Sequence, residues 1–156
     1  MKIDTETKRG REYIGGNEIL RYKISVPITE NCERINEFYK RIAEDCEEFC
    51  RSILPSICEG RSVYILESAP THVQGGEVAF LMRIRLMSEG KLLDTCVISQ
   101  VWDTANERMI SPSRLRKKYF QRGKKRGEKI TKGRDILLHN GRILDISRTD
   151  IDRFFK

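Results

Sequence analysis

The chain has 156 residues, 38% hydrophobic and 34% charged, with a formal net charge of +7. Its apolar residues cluster in periodic runs, which excludes a disordered polymer, and no stretch approaches the ~20 apolar residues of a membrane span. A single domain of this size buries roughly two thirds of its unfolded surface and needs no staple.

The first residues, MKIDTETKRGREYIGG, are polar and charged and hold no apolar signal region, so a cytoplasmic location is expected for the chain as given, or export if an upstream signal or anchor is missing. Residues 1–18 read as a flexible segment, and residues 19–156 as one domain. After Gly15-Gly16-Asn17, a turn signal, Leu20, Tyr22, Ile24, Val26 and Ile28 alternate with polar residues and predict a half-exposed strand. Pro27 lacks an amide donor and suits a strand end or an edge. Ile35, Phe38, Tyr39, Ile42, Cys46, Phe49, Cys50 and Ile53 recur at spacings of three and four, predicting one long amphipathic helix that ends before Pro55.

Residues 61–68 predict another strand, ended or bulged at Ala69-Pro70. Gln74-Gly75-Gly76 turns into the stretch on which the rest is organised, residues 77–103, a long β-hairpin turning at Glu89-Gly90. Val78, Phe80, Met82, Ile84 and Leu86 share one face of its first strand. The preferred register sets Leu86 against Leu93, Val78 against Val101, and Arg85 across from Asp94. Ser111-Pro112 opens a short helix toward Phe120. Eleven lysines and arginines then fall between 114 and 134 against Glu128 alone, so the chain's basic character sits in this segment, read as a loop. Asn140-Gly141 predicts a closing hairpin that pairs Leu138 with Ile143 and Leu137 with Leu144, and Thr149 with Asp152 resembles a capping box for a last helical turn. The fold class that follows is α+β: a mostly antiparallel twisted sheet with one long amphipathic helix packed on a face.

No set of nucleophile, base and orienter converges, and no phosphate-binding or metalloprotease motif is present, so no catalytic residue, cofactor or metal is assigned. His72 and His139 both fall at predicted turns and read as solvent-exposed. Asp94 and Asp103 read as an ion-pair partner and a strand-end turn residue. The five cysteines form an odd set without a CxxC pair; Cys46, Cys50 and Cys58 read as small buried hydrophobes in preference to ligands of a soft metal.

Two local patterns, INEFYKRIAEDCEEF and QVWDTANERMISPSRLRKKYF, separated by a glycine-glycine turn and long strands, carry a resemblance. Over residues 19–156 the chain is similar to a bacterial domain of unknown function found in the ectodomain of the lysozyme-sensing anti-sigma factor and in the non-catalytic part of a peptidoglycan deacetylase. Trp102-Asp103 matches that family's strand-end step, residues 104–108 its turn and residues 111–115 its helix start. Between the long strands Ser88-Glu89-Gly90-Lys91 departs from the family's Gly-Gly-Ala-His turn. The resemblance implies a fold and a domain without catalysis of its own, and it supplies no binding residue.

The function expected is therefore a non-catalytic protein-binding or regulatory domain whose partner, another protein, meets the sheet's open face or an edge strand. If the helix covers the face bearing Phe80, Met82 and Ile84, then Leu81, Arg83, Arg85, Ile98 and Gln100 line the other. The alternative is binding of nucleic acid or another acidic surface through residues 114–134, with Arg116, Lys117, Lys118, Arg122, Lys124, Lys125 and Arg126 as contacts.

Overall fold

The computed structural model describes residues 1–125 and 135–156, and of residues 120–125 the backbone alone. Strands β1 (Ile3–Ile14), β2 (Asn17–Thr29), β3 (Ser62–Gln74), β4 (Glu77–Ser88), β5 (Lys91–Asp103) and β6 (Arg108–Met109) lie in that order in one sheet, and β7 (Ile136–His139) pairs with β8 (Arg142–Asp145) in a second. The sheet is mixed: β2 and β3 run parallel, while tight two-residue turns join the neighbouring strands on either side as antiparallel hairpins. With its long helix this is the α+β class expected.

The chain divides into two compact units, residues 2–68 with 82–97 and residues 69–81 with 98–156, Met1 aside. In the first, residues 3–14 form a strand where a flexible segment was expected. They pair with β2 from Ile3↔Thr29 to Ile14↔Asn17. Backbone bonding holds this strand in place, and from Asp4 to Glu12 it carries only threonines, charges and Gly10, so hydrophobic periodicity does not register it. Gly10 faces Tyr22 so closely that a Cβ would collide with the phenol ring. The ladder to β3 ends at Ile24↔Leu66, which places Pro27 beyond it, where its missing amide costs no bond on that side.

A helical crossover connects the parallel pair, as parallel strands require. It comprises α1 (Glu33–Glu48), a π turn (Phe49–Ile53) and α2 (Leu54–Ile57). Ile35, Tyr39, Ala43, Cys50 and Leu54 form its buried face, each large apolar side chain contributing roughly 1.5–3 kcal/mol. Asn36 ties its first turn to the end of β2, accepting from Thr29 N at 2.8 Å and donating to Thr29 O at 2.9 Å. The helix was expected to stop before Pro55, yet it passes through. The amide of Leu54 reaches back to Phe49 O in the wider π turn, and this local widening is the means by which helices absorb a proline's missing donor and its ring. No helix among the described residues is long and apolar enough to cross a membrane.

In the second unit, α3 (Pro112–Lys125) packs Leu115 and Tyr119 with Ala79, Val101, Ile136 and Leu138. Ser111 caps it, its Oγ accepting from Arg114 N at 3.3 Å. The helix continues past Phe120, so residues 114–125 of the expected basic loop are helical; lysine, arginine and glutamine are good helix formers. Residues 126–134 lie outside the described residues. The β7–β8 register pairs Leu137 with Leu144 and Leu138 with Ile143, as read from Asn140-Gly141. Thr149 does not close the expected capping box but donates to Asp145 O at 2.6 Å.

Strand β3 runs on through Pro70 to Gln74, and its end is bound to the closing hairpin. Thr71 Oγ1 donates to Leu138 O at 2.7 Å, and Gly141 N donates to His72 Nδ1 at 3.0 Å. His72 is therefore a buried strand residue, set edge-on to the Tyr119 ring, and not the exposed turn residue expected. Its acceptor nitrogen is used by a backbone amide from the far hairpin. Residues 77–82 of β4 are all buried, so the expected apolar alternation is covered on both sides there, with Leu81 at 0% exposure.

Candidate functional site

Strand β5 has β4 on one side and β6 on the other, but β6 pairs with it only at Trp102↔Met109 and Asp103↔Arg108. N-terminal to these pairs, no strand among the described residues covers β5's outer edge. Its phase is fixed by two bonds. Ile110 N donates to Val101 O at 2.8 Å, so Val101 turns its backbone groups outward, and alternate residues of a strand repeat that direction. Next to the two-residue turn, where Lys91 pairs with Ser88, the odd residues face β4 instead, so the strand shifts phase by one residue; a shift before Thr95 leaves Thr95 and Val97 facing outward like Val101. Accordingly, the Thr95 amide donates to its neighbour's side chain, Asp94 Oδ1, at 2.9 Å.

Exposed apolar side chains lie along this edge. Residues 91–96 are all exposed, Leu92 and Leu93 at 57% each. The opposite edge strand of the same sheet, β1, carries Asp4, Glu6, Lys8, Arg9, Arg11 and Glu12, charges of the kind that keep edges from pairing with other chains. Strand β5 has no comparable protection between Leu92 and Val97 except Asp94.

Beside the edge runs a groove of about 380 Å³, lined by Asp45, Cys46 and Phe49 of the helical crossover, Tyr64 of β3, Ile84 and Leu86 of β4, and Asp94, Thr95 and Cys96 of β5. Its floor is apolar. Tyr64 donates its hydroxyl to Cys46 Sγ at 3.4 Å; burial, the larger cause, raises the pKa of both groups. Burial likewise pushes the Cys50 thiol up to about 12. Protonated thiols are poor nucleophiles, so what Cys46 and Cys50 offer is apolar contact. Asp45 and Asp94 form no ion pair among the described residues.

Of the five residues read as partner-binding, Arg83 and Arg85 belong to the first unit and the other three to the second. Arg83 Nη2 lies 2.8 Å and Arg85 Nη2 3.2 Å from the two carboxylate oxygens of Glu67, so both arginines clamp the neighbouring strand, and Arg85 finds its acid there where Asp94 was expected. Ile98 is 43% exposed, Gln100 is half-buried and Leu81 is enclosed. Val101 packs with Ala79, where the sequence reading set it against Val78. Of the polyanion set, Arg116 is half-buried, Lys117 exposed, and Lys118 lies 3.0 Å from Glu77 Oε1. Arg122, Lys124 and Lys125 lie on the α3 backbone, and Arg126 is outside the described residues. The residues missed were Thr95, Val97, Asp45 and Phe49. One signal was legible, since Leu92-Leu93 breaks the alternation of a strand with one buried face.

The second unit has a larger, more polar cleft of about 730 Å³, lined among others by Glu77, Asp103, Asn106, Arg108, Arg114 and Lys118. Asp103 is the expected turn residue: it accepts from Ala105 N at 3.0 Å and from Asn106 Nδ2 at 2.8 Å. The Asn106 bond is the main cause of its lowered pKa, with Arg114 adding a weaker pull.

Neither a family model nor a curated protein matches the sequence. Among solved structures, the fold is similar to that of a DUF3298 family protein from Pseudomonas aeruginosa PAO1, with a TM-score of 0.60 and 11% identity over 92% of this chain and 81% of that one. A second DUF3298 member, from Bacteroides fragilis NCTC 9343, gives 0.48 and 8% over 82% and 70%. At 11% identity the first likeness is one of fold, that of an uncharacterised α+β domain.

Proposed function

We propose that this chain is a non-catalytic binding domain that holds an extended segment of another protein by strand addition along the outer edge of β5. The observation that carries the reading is the contrast between the sheet's two edges: β1 is lined with charge from Asp4 to Glu12, while β5 is exposed from Leu92 to Cys96 with Asp94 as its one charge, and its outer edge has no strand beside it from Leu92 to Val97 among the described residues. An added strand gains main-chain hydrogen bonds at Thr95 and Val97, each worth about 0.5–1.5 kcal/mol net, and seats alternate side chains beside the groove. The resemblance to the anti-sigma ectodomain and to the deacetylase's non-catalytic part supports a binding role over a chemical one.

The test is a fluorescein-labelled peptide alternating valine with threonine, titrated against the protein and its Val97→Pro variant. Proline at an outward-facing position removes an edge donor without breaking the β4 ladder. The expected outcome is saturable binding to wild type, weakened at least about tenfold in the variant, with unchanged circular dichroism. Equal affinity for both proteins would sink the reading.

A second reading, polyanion binding beside α3, is favoured by one observation: Arg108 and Arg114 line one polar cleft. A labelled oligonucleotide titrated at about 50 and 200 mM salt should then lose on the order of tenfold in affinity, the scale of two phosphate contacts; a flat curve at both salts removes it.

A further inference from the structure

We infer that the segment taken up by β5 is cationic where it passes Asp94: on its groove-facing row a lysine or arginine lies two residues from an apolar side chain. The inference rests on the strand-addition reading and names the chemistry of its occupant. Asp45 and Asp94 both line the groove, and neither has a cationic partner among the described residues. The other acids near them with described partners are engaged: Glu67 holds Arg83 and Arg85, and Glu47 accepts from Tyr22 at 2.9 Å beside Arg51. The two charged residues that line the groove are therefore both acids, next to an apolar floor of Phe49, Ile84 and Leu86.

Pairing and charge selection are coupled through one bond. The Thr95 amide, which an added strand must take, now donates to Asp94 Oδ1. When a carbonyl of the incoming segment accepts that amide, the carboxylate loses a donor while the added strand covers part of its exposed surface, and covering an unpaired charge costs free energy. A lysine or arginine on the incoming strand restores the compensation, and a glutamate adds repulsion. Asp94 thus acts as a guard that a cationic strand displaces readily and a neutral or acidic one displaces at a cost.

Three probe peptides test this, identical in their valine-threonine alternation except for a central groove-row residue that is valine, lysine or glutamate. The lysine peptide should bind wild type about tenfold more tightly than the glutamate peptide, the scale of one exchanged surface charge pair. In Asp94→Asn, which keeps an oxygen for the Thr95 amide but drops the charge, the preference should fall to about threefold or less, with the valine peptide bound no more weakly than before. Equal affinities of wild type for the lysine and glutamate peptides, with Val97→Pro still abolishing both, would overturn the cationic inference and leave strand addition standing. Failure of all three peptides to bind would overturn both.

Discussion

Glu77 stands at the start of β4 with its side chain only 6% exposed, and both of its polar partners come from α3. Tyr119 donates to Oε1 at 2.6 Å, and Lys118 Nζ lies 3.0 Å from the same oxygen; Oε2 has no hydrogen-bond partner among the described residues. A buried carboxylate is costly without such partners, so this pair is the polar fastening of α3 to β4, laid beside the apolar cluster of Leu115 and Tyr119. Tyr119→Phe keeps the ring's packing and removes the donor, and it should destabilise the protein by about 2 kcal/mol, the scale of a hydrogen bond to a charged group. Guanidinium unfolding measures it. Glu77→Gln in the same background should add less than it costs alone, since the two changes share one interaction; full additivity would mean that the bond does not fasten the helix.

At the scale of elements, what could be read from the chain was whatever depends on neighbours in sequence. The hairpin turns are the plainest case: Glu89 and Gly90 have φ of +50° and +76°, Asn140 and Gly141 of +47° and +81°, the dihedrals that two-residue turns demand. Even the awkward glutamate has a local reason, as its Oε1 accepts from Arg61 N at 2.7 Å, over a Gly60 whose missing Cβ leaves the carboxylate its place. Errors arose where a distant segment decides. His72 reads as a turn residue beside Gly75-Gly76 and is buried because the amide of Gly141 comes to it. Arg85 was expected opposite Asp94 and instead pairs with Glu67 of β3. Strand β1 is held by its ladder and has no apolar pattern to announce it. The candidate edge was half legible: Leu92-Leu93 betrays exposure, but an open edge is the absence of a neighbour, which no local pattern encodes. The face picked instead chose arginines that turn out to be tied down.

Across the whole molecule the five free cysteines report on burial in both halves of the first unit's architecture, helix and strand alike. Cys32 and Cys50 are buried, Cys46 and Cys58 half-buried, and Cys96 on β5 is exposed. Thiol reactivity follows exposure and thiolate fraction, and burial raises the pKa of Cys46 and takes that of Cys50 to about 12. Under native conditions near pH 8, a disulfide reagent such as DTNB should therefore label one thiol fast, the rest at least about tenfold more slowly, and all five in denaturant. Cys96→Ser should remove the fast phase alone. Because Cys96 lines the groove beside the open edge, saturating the valine-threonine peptide should slow that phase, whereas a peptide that bound at the polar cleft of the second unit would leave it unchanged. A fast phase that survives Cys96→Ser would place a second thiol, such as the half-buried Cys58, within reach of the reagent and undo the single-site assignment; a fast phase lost in the variant but indifferent to the peptide would move the binding surface away from β5.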